Sequence, residues 1–179
     1  MLKKILIGLL ALILLILLVA SRQANEFRVE RSAIIAAPAA VIFDQVNNFH
    51  HWSAWSPWDK MDPNMKRTYT GPDAGVGASY AWSGTGHVGQ GSMTITDSQP
   101  NALIRIKLEF TKPFKAVNTT EFTFKGDDKQ TTVTWAMFGP NNLMAKVMHL
   151  FMNMDKMVGG NFADGLAAIK TAAEAKPSK

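Results

Sequence analysis

The hydrophobic pattern divides the chain into two parts of different character. From Ile5 to Ala20 every residue is apolar or glycine, and Lys3 and Lys4 stand immediately before the run. A basic start followed by an apolar stretch is either a cleavable signal peptide or an uncleaved anchor. The run of 16 residues falls short of the roughly 20 that span a bilayer, a gap that Leu2 and a snorkelling Lys or Arg can close. Val19-Ala20-Ser21 matches a small-residue cleavage site only weakly, and the Leu/Ile-rich run favours an anchor at 5–21 behind a basic N-terminus at 1–4. Lys3 and Lys4 favour a cytoplasmic N-terminus, which places the rest on the extracytoplasmic (periplasmic) side of the membrane. Arg22 and Arg28 pull against that orientation.

After a polar linker at 22–26 the pattern changes. Loose alternation at 27–35 predicts a first strand. Pro38 suits a helix start, and Val41, Ile42, Phe43 and Val46 give that helix an apolar face before Asn47-Asn48 ends it. In the segment 50–58, Trp52 and Trp55 share a face if the stretch is a short helix, with Pro57 stopping it. From 66 to 138 the pattern is nearly all strand: 66–70, 78–83, 91–96, 102–110, 117–124 and 131–138. Short connections between successive strands imply an antiparallel meander. Asn141 or Asn142 can cap a last helix running to about Ala173. Helical spacing puts Leu143, Val147, Leu150, Phe151, Met154, Val158, Phe162 and Ile169 on one face and Lys146, His149, Asn153, Lys156 and Asp164 on the other, with Gly159-Gly160 as a weak point for a bend. The order predicts an α+β domain at 27–173, a curved antiparallel sheet closed by one long helix, with a polar tail at 174–179. A cavity between sheet and helix is physically natural in that arrangement.

Charge and composition narrow the chemistry. The formal net charge is +5, of which Lys3 and Lys4 supply two. The remaining bases are scattered, without the clustered stripe of a nucleic-acid binder; a weak attraction to anionic headgroups or an ordinary surface both fit. With no cysteine, disulfides, thiolate metal sites and a cysteine nucleophile are excluded. Gly84-Thr-Gly-His-Val-Gly89 spells a dinucleotide fingerprint, but a strand follows where a helix is required, so hairpin turns explain the glycines. His50, His51, His87 and His149 show no metal-ligand spacing. Nothing points to a cofactor.

The aromatic and methionine content is more informative. Trp and Tyr favour half-buried surfaces such as pocket mouths, and Met suits surfaces that accept varied apolar ligands. Trp52, Trp55, Tyr80, Trp82, Met93, Trp135, Met154 and Phe162 are the candidates for lining or gating a cavity; core packing is the competing explanation. Asp155 falls inside the apolar arc of the last helix. There it is either a polar point in the cavity, and so the one candidate catalytic acid or base, or a structural ion pair with a sheet cation, Lys156 or Arg67, or a residue exposed near the helix's open end. Glu121 is a weaker second candidate.

The segments Ala37-Pro38-Ala-Ala-Val-Ile-Phe43, Trp52-Ser-Ala-Trp-Ser-Pro-Trp58, Gly75-Val-Gly-Ala78, Gly91-Ser-Met-Thr-Ile-Thr96 and Asp155-Lys-Met-Val-Gly-Gly-Asn-Phe162 resemble the SRPBCC superfamily of START-like helix-grip proteins, in particular its bacterial polyketide cyclase/dehydrase-type subgroup. The resemblance spans nearly all of the chain beyond the linker. It implies a deep cavity for hydrophobic molecules between sheet and long helix. Members include lipid carriers, hormone receptors and cyclases, and no catalytic set of theirs maps onto these residues. The expectation is therefore a membrane-anchored binding module for an apolar or amphipathic small molecule, with Asp155 orienting a polar head. The alternatives are a cyclase or dehydratase acting in the same cavity and an interaction protein whose cavity is filled.

Overall fold

The computed structural model describes residues 1–86 and 88–175. His87 and, within the tail expected at 174–179, residues 176–179 lie outside the described residues. The first helix, α1, spans Leu2–Ser21 and is long and apolar enough to cross a membrane. At 1.5 Å per residue its 20 residues measure about 30 Å, the thickness of a hydrocarbon core. Ala20 is its one buried residue.

The seven strands are β1 (Glu26–Ile35), β2 (Lys66–Thr70), β3 (Ser79–Ser83), β4 (Gln90–Gln99), β5 (Leu103–Lys112), β6 (Ala116–Gly126) and β7 (Thr131–Pro140). They form one antiparallel sheet in the order β1-β7-β6-β5-β4-β3-β2, so the predicted meander is present and β1 closes against its last strand. Alternation sets which side is buried. Ile104, Ile106 and Leu108 point inward on β5, while Arg105 and Lys107 point out. Register shifts at Gln90/Gly91 and between Ile95 and Asp97 interrupt the β4–β5 ladder, as bulges that curve a sheet do. The β3–β4 turn contains the glycines of the would-be dinucleotide fingerprint. Gly89 has φ +64° and sits where a Cβ would strike the Lys112 carbonyl, so the turn explains that glycine.

Three short elements close one end, where two helices were expected. α2 (Ala39–Asn47) is followed by a 3-10 turn (Phe49–Ala54) and by α3 (Pro57–Met61). Pro57 occupies the first turn of α3 and opens a helix instead of stopping one, as its fixed φ and missing N–H allow. Trp52 and Trp55 do share a face, with ring centroids 4.5 Å apart.

The predicted single last helix is two. α4 (Leu143–Phe151) ends at Met152, and α5 (Met154–Glu174) begins after Asn153, whose side chain accepts from the Lys156 N–H at 2.8 Å. The break is there and not at Gly159-Gly160. The sheet-facing residues of α5 are Gly159, Phe162, Gly165, Leu166, Ile169 and Ala173. Leu143, Leu150 and Phe151, expected on the same face, are exposed. Lys146, expected in solvent, is buried, and its Nζ donates to Asn25 Oδ1 at 2.8 Å.

Candidate functional site: the concave face

The concave face of the sheet carries the candidate residues in two groups. The lower group is Trp52, Trp55, Trp135 and Phe162. Trp135 stacks on Phe162 at 4.2 Å and on Phe122 at 4.7 Å, and its edge meets Trp55 at 5.6 Å. Trp52 and Trp55 donate their indole N–H groups to Val46 O and Gln45 O at 2.9 and 3.0 Å. All four are buried. They pack against one another between sheet and α5, the arrangement that the competing explanation, core packing, describes. Gly165 lets α5 approach this cluster, since a Cβ there would lie 2.7 Å from the Trp135 ring.

The second group lies further along the strands, towards the β3–β4 and β5–β6 turns. Register places Tyr80 beside Met93 and Met93 beside Leu108. The next inward row holds Trp82, Gly91 and Phe110. Tyr80, Met93 and Leu108 are buried, whereas Trp82 and Phe110 are half-buried. Trp82 lies over Gly91, where a Cβ would come within 2.6 Å of the ring, and donates to Val88 O at 3.1 Å. Trp58 of α3 and Met154 and Val158 of α5 are also half-buried.

Among the described residues, two polar groups in this interior have no hydrogen-bond partner: the Tyr80 hydroxyl and the Trp135 indole N–H. Burial pushes the Tyr80 phenol well above its ordinary value, and the nearby Asp59 carboxylate adds to this. Asp59 is itself buried and holds Arg67, whose Nε donates to it at 2.7 Å. This ion pair ties α3 to β2 beside Tyr80. Sequence reasoning missed Asp59; the signal was Arg67, a cation at an inward-facing strand position that needs a counter-charge.

Asp155 faces the sheet, as its helical phase predicts, yet it is outside the interior. Its side chain is 65% exposed and forms a bidentate pair with Arg31 of β1, both bonds 2.9 Å long. Arg31 also donates to the Asp155 carbonyl at 3.0 Å. The hydrogen bonds from Arg31 hold the Asp155 carboxyl below its usual range. The geometry is that of the ion pair with a sheet cation. A carboxylate orienting a ligand inside the cleft is not what the structure places here. Glu121 lies on the other face of the sheet, accepting from Arg105 Nε at 2.8 Å.

Two concavities lie elsewhere. One of about 250 Å³ is lined by Phe49, His50, Tyr69 and the 70–73 turn, where His50 stacks on Tyr69 at 4.1 Å. The other, about 490 Å³, is an outer groove between α3 and α5.

A curved antiparallel sheet gripping a C-terminal helix defines the START-like helix-grip class. The chain belongs to the family described as polyketide cyclase / dehydrase and lipid transport, whose model matches residues 26–174. Similar solved structures include the Aha1 dimer from Colwellia psychrerythraea (17% identity, TM-score 0.57, covering 83% of this chain and 96% of that one). The Zhui aromatase/cyclase from a Streptomyces species matches with 16% identity, TM-score 0.57, and coverage of 83% and 94%. The di-domain ARO/CYC BexL matches with 16% identity and TM-score 0.61 over 89% of this chain and 53% of its own. At these identities the likeness is one of fold. Comparison with curated protein sequences finds no match.

Proposed function

We propose that this protein is a membrane-anchored binding module that takes an apolar or amphipathic small molecule, such as a lipid, into the upper part of its sheet–helix cleft. The observation that carries the reading is the Tyr80 hydroxyl, buried beside the Asp59–Arg67 pair and without a hydrogen-bond partner among the described residues. An unsatisfied buried hydroxyl costs about 1–3 kcal/mol, a cost that a ligand oxygen would offset. Around it, Met93 and Leu108 offer apolar surface, the half-buried Trp82 and Phe110 meet edge to face in the next row, and the half-buried Trp58 and Met154 come from α3 and α5. Each CH₂ group buried there would contribute roughly 0.8 kcal/mol. α1 serves as the anchor, and Lys3 and Lys4 favour an extracytoplasmic domain.

The family's name also includes cyclases and dehydrases. That chemistry needs an acid or base within reach of the substrate. Asp155 is held at the surface by Arg31, and Asp59 is engaged by Arg67, so the geometry favours binding over turnover.

The test is uptake of a fluorescent fatty-acid analogue by the full chain in detergent micelles, compared with Trp82→Gln and Met154→Gln. Weaker uptake with unchanged far- and near-ultraviolet circular dichroism supports the assignment. Unchanged uptake in both variants would sink it.

A further inference from the structure

α4 presents an apolar face that nothing among the described residues covers. Met144 is 67% exposed and Phe151 73% exposed, and Leu143, Leu150 and Met152 are exposed beside them. The other side of this helix is fixed to the end of α1. Gln23 Nε2 donates to the Lys146 carbonyl at 3.1 Å, and Lys146 Nζ donates to Asn25 Oδ1 at 2.8 Å. Asn141 donates from its side chain to Ala24 O at 3.0 Å and from its backbone to Asn25 O at 2.7 Å. Phe27 packs edge-on against His149 at 5.8 Å. α4 is therefore held within a few residues of the point where α1 ends.

The sheet register adds a second element at the same level. Glu26 pairs with Pro140, Thr119 with Phe138, and Phe110 with Ala116. The start of β1, the end of β7 and the β5–β6 turn thus share one end of the sheet. At the tip of that turn Phe114 is 62% exposed, between Lys112 and Lys115. An exposed aromatic between two lysines suits a headgroup boundary, where the ring enters the acyl edge and the cations meet lipid phosphate. The β3–β4 turn is at this end too, since Gln90 pairs with Lys112.

We infer that α4 and the Phe114 turn lie in the interfacial layer of the bilayer that α1 crosses, forming a second attachment that turns the Trp82–Phe110 end of the sheet toward the lipid. The occupant of the apolar face is the bilayer surface. Continuity argues for it, because α4 is hydrogen-bonded to the segment that emerges from α1. A short amphipathic helix buries its apolar side about 5–10 Å into the headgroup boundary. This inference rests on the anchor reading of α1 given above, and it goes further by fixing the domain's orientation to the membrane. Ligand would then exchange between cleft and bilayer without crossing water.

The chain has no cysteine, so single spin labels report one position each. The full chain is reconstituted into vesicles of phosphatidylcholine and phosphatidylglycerol after Met144→Cys, Phe114→Cys, Leu10→Cys or Lys129→Cys, and collision with oxygen and with a water-soluble nickel complex is compared. Lys129 lies in the β6–β7 turn, at the opposite end of the sheet. The inference predicts loss of nickel access and gain of oxygen access at 10, 114 and 144, and full nickel access at 129. Lipid-like values at 10 with water-like values at 114 and 144 would overturn the second attachment and leave the anchor standing. Water-like values at 10 would overturn both.

Discussion

The guanidinium of Arg31 lies where a side chain on residue 159 would be: a Cβ on Gly159 would come within 2.2 Å of Arg31 Nη2. One helical turn earlier, Asp155 receives both guanidinium nitrogens. The glycine and the carboxylate are thus two halves of one device, which lays a strand cation across the first turns of α5. Gly160, its neighbour, meets nothing within 4 Å.

Replacing each glycine separates packing from propensity. Alanine in an open helix interior gains about 0.5–1 kcal/mol over glycine, so Gly160→Ala should raise the thermal midpoint. Gly159→Ala should lose that gain, because the new methyl displaces Arg31 from Asp155. In a double-mutant cycle with Asp155→Asn the two changes should be non-additive. Additive effects would show that the contact is incidental.

The same pair gives a pH signature. A carboxylate whose folded pKa lies below its unfolded value stabilises the fold above the unfolded value, and that contribution disappears as pH falls through the folded value. Arg31 depresses Asp155 in this way, and backbone N–H donors do the same for Asp62, Asp127 and Glu174. These carboxylates should make thermal midpoints decline below about pH 4, beneath an earlier decline that starts near pH 6.5, where His149, whose folded pKa burial lowers, begins to take up a proton in the unfolded chain. Asp155→Asn should decline less steeply over the lower of the two windows. A decline as steep as the parent's would remove Arg31–Asp155 as a contributor.

Tyr80→Phe distinguishes a ligand-binding hydroxyl from a structural one. Removing a buried hydroxyl that has no partner should leave the empty protein equally stable or raise it by about 1 kcal/mol, read by denaturant unfolding. The same change should weaken uptake of the fatty-acid analogue by roughly tenfold, the equivalent of one hydrogen bond to a charged head. A destabilised variant with normal uptake would mean that the hydroxyl serves the fold.

The break before α5 depends on Asn153. Its side chain caps the Lys156 N–H, and Asn153→Ala should cost about 1 kcal/mol. Hydrogen exchange should rise in the first turn of α5 and stay unchanged in β5. A uniform rise across the sheet would contradict a local role.

The sheet was legible because its inward and outward residues differ in chemistry: Ile104, Ile106 and Leu108 alternate with Arg105 and Lys107, and no tertiary effect overrides that period. The break at Met152–Asn153 was not legible, because apolar residues continue at helical spacing on both sides of it. One helical phase was therefore carried across two helices, which put Leu143 and Phe151 on the sheet and Lys146 in water. Asn153 read as a polar-face residue when it is a cap. For Asp155 the phase was legible but the choice between a buried carboxylate and an exposed ion pair was not, since it depends on β1 being an edge strand with the first turn of α5 over it. The aromatic residues were recognised as a group, but composition cannot tell a stacked core from a lined cavity. Register separated Trp135 from Tyr80, Trp82 and Met93, and ring stacking placed Phe162 with Trp135.

The central claim, that the cleft holds an apolar molecule, is tested most directly by native mass spectrometry of the full chain released from detergent micelles, followed by extraction of whatever is bound. The account predicts a co-purifying lipid or other apolar molecule at up to one per chain, lost in a variant carrying Tyr80→Phe and Trp82→Gln. A bare chain mass that added lipids and fatty acids fail to shift would contradict it.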